Sequence, residues 1–134
     1  MSNQANQKKI HPSAVISADV LIGNETTIGA GAIIGAGVVI SEHCQIGSGV
    51  IIEAKSRIDN NCVLEPGVII GKEVTLGKNT RIGIGARVTN GVTIRPDSVI
   101  KIGEIILKDM IYKMVFKRGA WIYREDSLNH KNED

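Results

Sequence analysis

The chain has 134 residues, a formal net charge of +2, 43% hydrophobic residues and only 3% aromatics. That length suits one domain, and so small a charge gives no electrostatic case for nucleic acid or an anionic membrane. So few rings exclude an ordinary core built on aromatic packing; two cysteines make no disulfide framework, and no apolar run is long enough to span a bilayer.

In chain order, the first nine residues, MSNQANQKK, are polar and no apolar stretch of the signal-peptide kind follows. This predicts a disordered arm over residues 1–9 and a cytoplasmic protein. From Ile10 a beat begins. Stepping by six gives Ile10, Ile16, Ile22, Ile28, Ile34 and Ile40, and aliphatic residues continue at every step to Ile106. Two places before each beat stands a small or β-branched residue, from Ala14 to Ser98, until Glu104 breaks the pattern. A period of six fits neither a helix nor a plain alternating strand. It fits a short strand plus a corner, wound repeatedly. Residues two apart on a strand share a side, so both sets point inward and the residue between them points out.

A second period sets the winding. Gly31, Gly49, Gly67, Gly85 and Gly103 are eighteen apart, which predicts three strands per coil and a corner of positive φ. Another corner carries Glu25, His43, Asn61, Asn79 and Asp97; the corners without the glycine column are expected to tolerate other residues, Asn among them. The register also settles the stretch TIGAGAIIGAGVVI, residues 27–40, whose glycine spacing resembles a phosphate-cradling loop. Such a loop opens a helix. Here the same six-residue beat simply continues, so these glycines belong to the repeat.

The outward residues fall on three faces. One reads Val15, Ile33, Ile51, Ile69, Arg87, Ile105; a second Leu21, Val39, Arg57, Thr75, Thr93; the third Lys9, Thr27, Gln45, Val63, Arg81, Val99. A contiguous aliphatic stripe on an outer face marks an interface, so Val15, Ile33, Ile51, Ile69 and Ile105 are predicted to form a threefold contact between copies. The alternative is that the C-terminal segment folds over the stripe within one chain. Cys44 and Cys62 are one coil apart and inward, which predicts buried free thiols. Glu53, Arg57, Asp59, Glu65, Arg81, Arg87 and Arg95 cluster in the middle coils, where stacked charges favour ion pairing.

After the repeat, IYKMVFKRGAWIYRED (residues 111–126) reads as a β-hairpin turning at Arg118-Gly119, or as a short helix over 108–117 with Met110, Ile111, Met114 and Val115 on one face. Either way residues 108–126 are expected to cap the open end of the coil, and residues 127–134 to be a disordered tail. All four aromatics, Tyr112, Phe116, Trp121 and Tyr123, lie in this segment.

Seven hexads carry Gly directly after the aliphatic beat (Gly23, Gly29, Gly35, Gly47, Gly71, Gly77, Gly83), and the coil opens with IHPSAVI. These residues resemble the hexapeptide-repeat, or isoleucine-patch, transferase superfamily, and the opening is similar to bacterial sugar acyltransferases. The resemblance covers about residues 10–106. It implies an all-β chain, a left-handed parallel β-helix of about five coils over 10–107, assembled as a homotrimer. It also implies transfer of an acetyl or acyl group from a thioester, CoA or acyl carrier protein, to a sugar or nucleotide-sugar. Acyl-CoA would be a co-substrate, with no tightly bound cofactor.

Family enzymes use a histidine as general base. His43 is the histidine within the regular coils, with Glu25 and Asn61 one coil away, about 4.8 Å by strand spacing, so it is the catalytic candidate. Its corner lies opposite the aliphatic face. Arg81 and Arg87 are the candidates for holding the phosphates of CoA or a nucleotide-sugar. His11 opens the first coil, where a capping role is expected, and His130 lies in the tail. The three histidines are not spaced to converge on a metal, so no metal is expected. Two departures are plain: the G-x-P-A turn of many family acetyltransferases does not occur, and no loop interrupts the beat. They favour a second reading, a non-catalytic trimeric scaffold or a subunit of a sugar-modifying complex. A third is a regulatory module separated from a nucleotidyltransferase.

Overall fold

A computed structural model describes residues 9–109, 112–117 and 120–125. Two-residue strands recur every six residues, beginning with β1 (Lys9–Ile10), β2 (Val15–Ile16), β3 (Leu21–Ile22) and β4 (Thr27–Ile28), and ending with β15 (Thr93–Ile94), β16 (Val99–Ile100) and β17 (Ile105–Ile106). They stack into three parallel sheets, two of six strands and one of five, with every third strand in the same sheet. Three strands therefore complete one coil, and the sheets are the walls of a left-handed triangular β-helix of about five coils. Among the described residues no helix is long and apolar enough to cross a membrane.

The register is the one that the eighteen-residue spacing dictates. Ile10 pairs with Ile28, Ile28 with Ile46, Ile46 with Leu64 and Leu64 with Ile82. These aliphatic residues fill the shaft together with the small residues two before them, and from Ile28 to Ile100 nearly all are buried. A shaft this narrow has room for branched aliphatic ladders and none for rings, which explains the missing aromatics. Each fully buried Ile contributes about 1.5–3 kcal/mol.

Two-residue strands survive because the corners stack as well. The His43 N–H donates to Asn24 O at 3.0 Å, and the Asn61 N–H to Glu42 O at 2.9 Å, one coil back. All three corners bend through the left-handed region, not only the glycine corner. Glu25, His43, Asn61, Asn79 and Asp97 have φ of 58–63°, while the third column carries Gly37, Lys55, Glu73 and Gly91 at 54–74°. Turning the chain through a third of a revolution in two residues requires this backbone, whatever the side chain.

The glycines that follow the beat have a different cause. A Cβ on Gly77 would stand 2.5 Å from Pro96 N in the next coil, so the close approach of neighbouring coils excludes it there.

The small inward positions include a column of Thr26, Cys44, Cys62, Thr80 and Ser98. Thr26 Oγ1 donates to Ser41 O at 2.8 Å and accepts the Cys44 N–H at 3.1 Å. In the neighbouring column Ser56 Oγ donates to Gly71 O at 2.6 Å and accepts the Val74 N–H at 3.0 Å. The Cys44 and Cys62 thiols take the same place, donating to Asp59 O at 3.1 Å and Gly77 O at 3.2 Å. Both are free and buried, as expected. The Cys44 thiol and burial together push the Cys62 thiol well above its ordinary range.

The coil begins at Lys9, one residue before its expected start. After it, β18 (Tyr112–Lys117) and β19 (Ala120–Glu125) pair antiparallel, from Tyr112↔Glu125 to Lys117↔Ala120. The segment is thus the hairpin of the two alternatives. Its turn at Arg118-Gly119, the arm over 1–8 and the tail over 127–134 lie outside the described residues.

Candidate functional site

The sheets place the outward residues on the three faces that the repeat predicts. The wall with Val15, Ile33, Ile51, Ile69, Arg87 and Ile105 is aliphatic, and Val15 and Ile105 are 63% and 60% exposed in the single chain. The adjoining wall, with Gln45, Val63, Arg81 and Val99, bears an open groove of about 430 Å³ lined by Glu65, Arg81, Gly83, Val99, Lys101 and Ile102. Ile102 stands at the corner between these two walls, so the groove runs along the border of the aliphatic face.

Arg81 Nη2 pairs with Glu65 Oε2 at 3.2 Å, its side chain 57% exposed. An ion pair this exposed is worth at most about 1 kcal/mol, so an incoming phosphate or carboxylate can compete for the guanidinium. Lys101 adds a second cation to the groove, beside exposed Val99 and Ile102. Cationic and apolar side chains side by side suit an amphipathic ligand that carries an anionic group. Arg87 lies in the same coil as Arg81, across the corner, where its Nη1 donates to Gly85 O at 3.3 Å. The structure therefore brings the two predicted arginines to opposite sides of one corner.

It does not bring His43 to them. His43 sits on the corner opposite the aliphatic wall, exposed, two coils away from Arg81, and no histidine lines the groove. Among the described residues no hydrogen bond joins its imidazole to Glu25. Its φ of 58° reports a corner role for the backbone. His11 has a local structural role: its Nδ1 accepts the Ser13 N–H at 3.1 Å and lies 2.9 Å from Ser13 Oγ, which accepts the Gly31 N–H at 2.9 Å. Ser13 thereby tops the glycine column, in keeping with the expected cap. Lys101 and Ile102 were missed in the sequence. Their eighteen-residue relation to Gly83 and Ile84 was the available signal, because it stacks them on the Arg81 coil.

A model described as bacterial transferase hexapeptide (six repeats) matches residues 25–60, and one described as hexapeptide repeat of succinyl-transferase matches residues 67–108. Together they take in more than half of the chain. The chain belongs to the hexapeptide-repeat transferase superfamily. Among solved structures, PerB from Caulobacter crescentus, in complex with CoA and GDP-perosamine, is 32% identical with a TM-score of 0.78; the match covers 78% of this chain and 51% of PerB. A histidine-to-alanine variant of GDP-perosamine N-acetyltransferase from the same organism, also with CoA and GDP-perosamine, is 28% identical with a TM-score of 0.60, covering 91% of this chain and 58% of that one. The chain thus spans little more than half the length of these structures. No curated protein sequence matches it.

Proposed function

We propose that this hexapeptide-repeat chain is an acyltransferase, moving an acetyl or acyl group from acyl-CoA to an amine or hydroxyl of a nucleotide-sugar. The observation that carries the reading is the 32% identity and TM-score of 0.78 to PerB, a protein solved with CoA and GDP-perosamine. The groove supports it: Arg81 and Lys101 supply cations for phosphate, and Val99 and Ile102 supply an apolar wall for a pantetheine-like arm.

The proposed working form is a cytoplasmic homotrimer. Val15, Ile33, Ile51, Ile69 and Ile105 meet across the threefold contact, and the groove then opens at the border between two copies. Arg87 stands on that same face and would reach the ligand from the subunit edge. In the reaction a base removes a proton as the acceptor nitrogen or oxygen attacks the thioester carbonyl. The tetrahedral intermediate then expels CoA as the thiol. His43 is the candidate base by residue type. Its corner lies opposite the aliphatic face, so in the proposed trimer it points away from the groove, which leaves a corner residue as the stronger reading of His43. Acyl-CoA is consumed as co-substrate, so no resident cofactor is required.

The test is release of free CoA thiol from acetyl-CoA, screened over amino and hydroxyl nucleotide-sugars. Release that depends on the acceptor and falls at least about tenfold in Arg81→Glu is the expected result, with His43→Ala as the control for the base. Full activity in His43→Ala removes that residue from the chemistry. No acceptor-dependent release from folded protein removes the transferase and leaves the scaffold reading, which the absence of any histidine in the groove favours.

A further inference from the structure

The position two before the beat is small or β-branched from Ala14 to Ser98 and then becomes Glu104. That break falls in the last coil. β15 and β16 are the final strands of their sheets, and among the described strands β18 and β19 contact only each other. No described strand therefore continues either sheet.

The backbone shows what happens at these two edges. Along one wall the N–H after each beat donates to the beat carbonyl of the next coil: His11 to Ile28 O at 2.9 Å, Gly29 to Ile46 O at 2.8 Å, Gly47 to Leu64 O at 2.8 Å, Glu65 to Ile82 O at 3.0 Å and Gly83 to Ile100 O at 2.8 Å. Lys101 is the next member of this series. Its N–H donates to Glu104 Oε1 at 2.6 Å. On a second wall Leu21, Val39, Arg57 and Thr75 donate to Val38, Ser56, Val74 and Val92 O, at 2.8–3.1 Å. The next member, Thr93, donates to Asp109 Oδ1 at 2.8 Å. Two carboxylates thus stand where two backbone carbonyls stood in every coil below.

The local chain brings both within reach. Lys101 and Glu104 flank the corner at Gly103, whose φ is 71°, and the Glu104 N–H returns to Lys101 O at 3.1 Å. The two residues therefore bond in both directions. Asp109 lies sixteen residues after Thr93, one short of the position whose carbonyl would continue the series. An N–H held by a carboxylate makes a stronger bond than one held by a neutral carbonyl. An ionised carboxylate also accepts without donating, so a strand arriving at either edge meets negative charge and an occupied donor. An unpaired edge, by contrast, is a template for another chain.

We propose that Glu104 and Asp109 form a strand stop. They occupy the donors that a strand of a second copy would have to use, and so keep the C-terminal edges of β15 and β16 from pairing between chains.

Two double variants of the full chain test this. Glu104→Ala with Asp109→Ala removes both acceptors. Glu104→Gln with Asp109→Asn keeps an acceptor oxygen at each place. In the alanine pair, amide exchange at Thr93 and Lys101 should rise at least about tenfold, with residues 45–64 unchanged. That pair should also gain mass with concentration beyond the unmodified chain, read by sedimentation velocity. The amide pair should stay near the unmodified chain in both readings. Unprotected amides at Thr93 and Lys101 in the unmodified chain overturn the stop, whatever the variants do. Unchanged exchange in the alanine pair overturns it, as does an alanine pair that keeps the unmodified circular dichroism and never exceeds the unmodified mass. Association of the amide pair to the same extent as the alanine pair also overturns it, because the acceptors are then not what closes the edge. None of these outcomes depends on the enzymatic reading, which the thiol assay tests separately.

Discussion

Lys55 and Glu73 hold φ of 64° and 54° at a corner where Gly37 and Gly91 stand in the flanking coils. For a residue with a Cβ that backbone costs about 1–2 kcal/mol, partly offset because glycine loses more entropy on folding. Lys55→Gly and Glu73→Gly should therefore each stabilise the fold by about 0.5–1 kcal/mol in urea titrations. The same scale explains the cysteines. The Cys62 thiol satisfies Gly77 O as the Thr80 hydroxyl satisfies Arg95 O in the next coil and the Thr26 hydroxyl Ser41 O two coils back. Cys62→Thr should be close to neutral, whereas Cys62→Val, similar in volume but without a donor, should cost about 1–2 kcal/mol. The folded chain also holds this thiol proton more tightly than the unfolded chain, whose thiol ionises near the ordinary value of 9.0. Stability should thus be fully present below pH 9 and decline as the pH rises above it, a decline lessened in Cys62→Thr.

The strand and the coil are where the sequence was most legible. The unbroken aliphatic beat and the eighteen-residue glycine spacing dictate the stacking of Ile28 on Ile46 and Leu64, because only one register buries every beat. The left-handed corner at Lys55 and Glu73 was hidden, since the residue types there give no hint of positive φ. The C-terminal segment stayed ambiguous between helix and hairpin because its apolar spacing satisfies both periods. At this scale the glycines after the beat make a sharp prediction. Gly77→Ala places a Cβ against the Pro96 backbone, and the coils must part to admit it. A loss of about 2 kcal/mol or more is expected by thermal unfolding, while Gly31→Ala, with open space around its Cβ site but positive φ, should cost about 1–2 kcal/mol.

At the scale of the molecule, the candidate site was only half legible. The repeat fixes the faces of Arg81 and Arg87, which stand on opposite sides of one corner. His43 was chosen by residue type, although its column already placed it on the corner opposite the aliphatic face, and the coil holds it two turns from Arg81. What a second copy would add depends on the aliphatic wall. The proposed assembly rests on Ile33, Ile51 and Ile69 meeting their counterparts, with about 1.5–3 kcal/mol for each isoleucine fully covered, and a charge in the middle of such a contact is strongly unfavourable. Sedimentation equilibrium of the unmodified chain and of Ile51→Glu tests this most directly. The unmodified chain should have three times the 14.4 kDa chain mass, and Ile51→Glu should fall to single chains with the same circular dichroism. An unmodified chain that sediments as a monomer at every concentration, or an Ile51→Glu variant that remains a trimer, would contradict it.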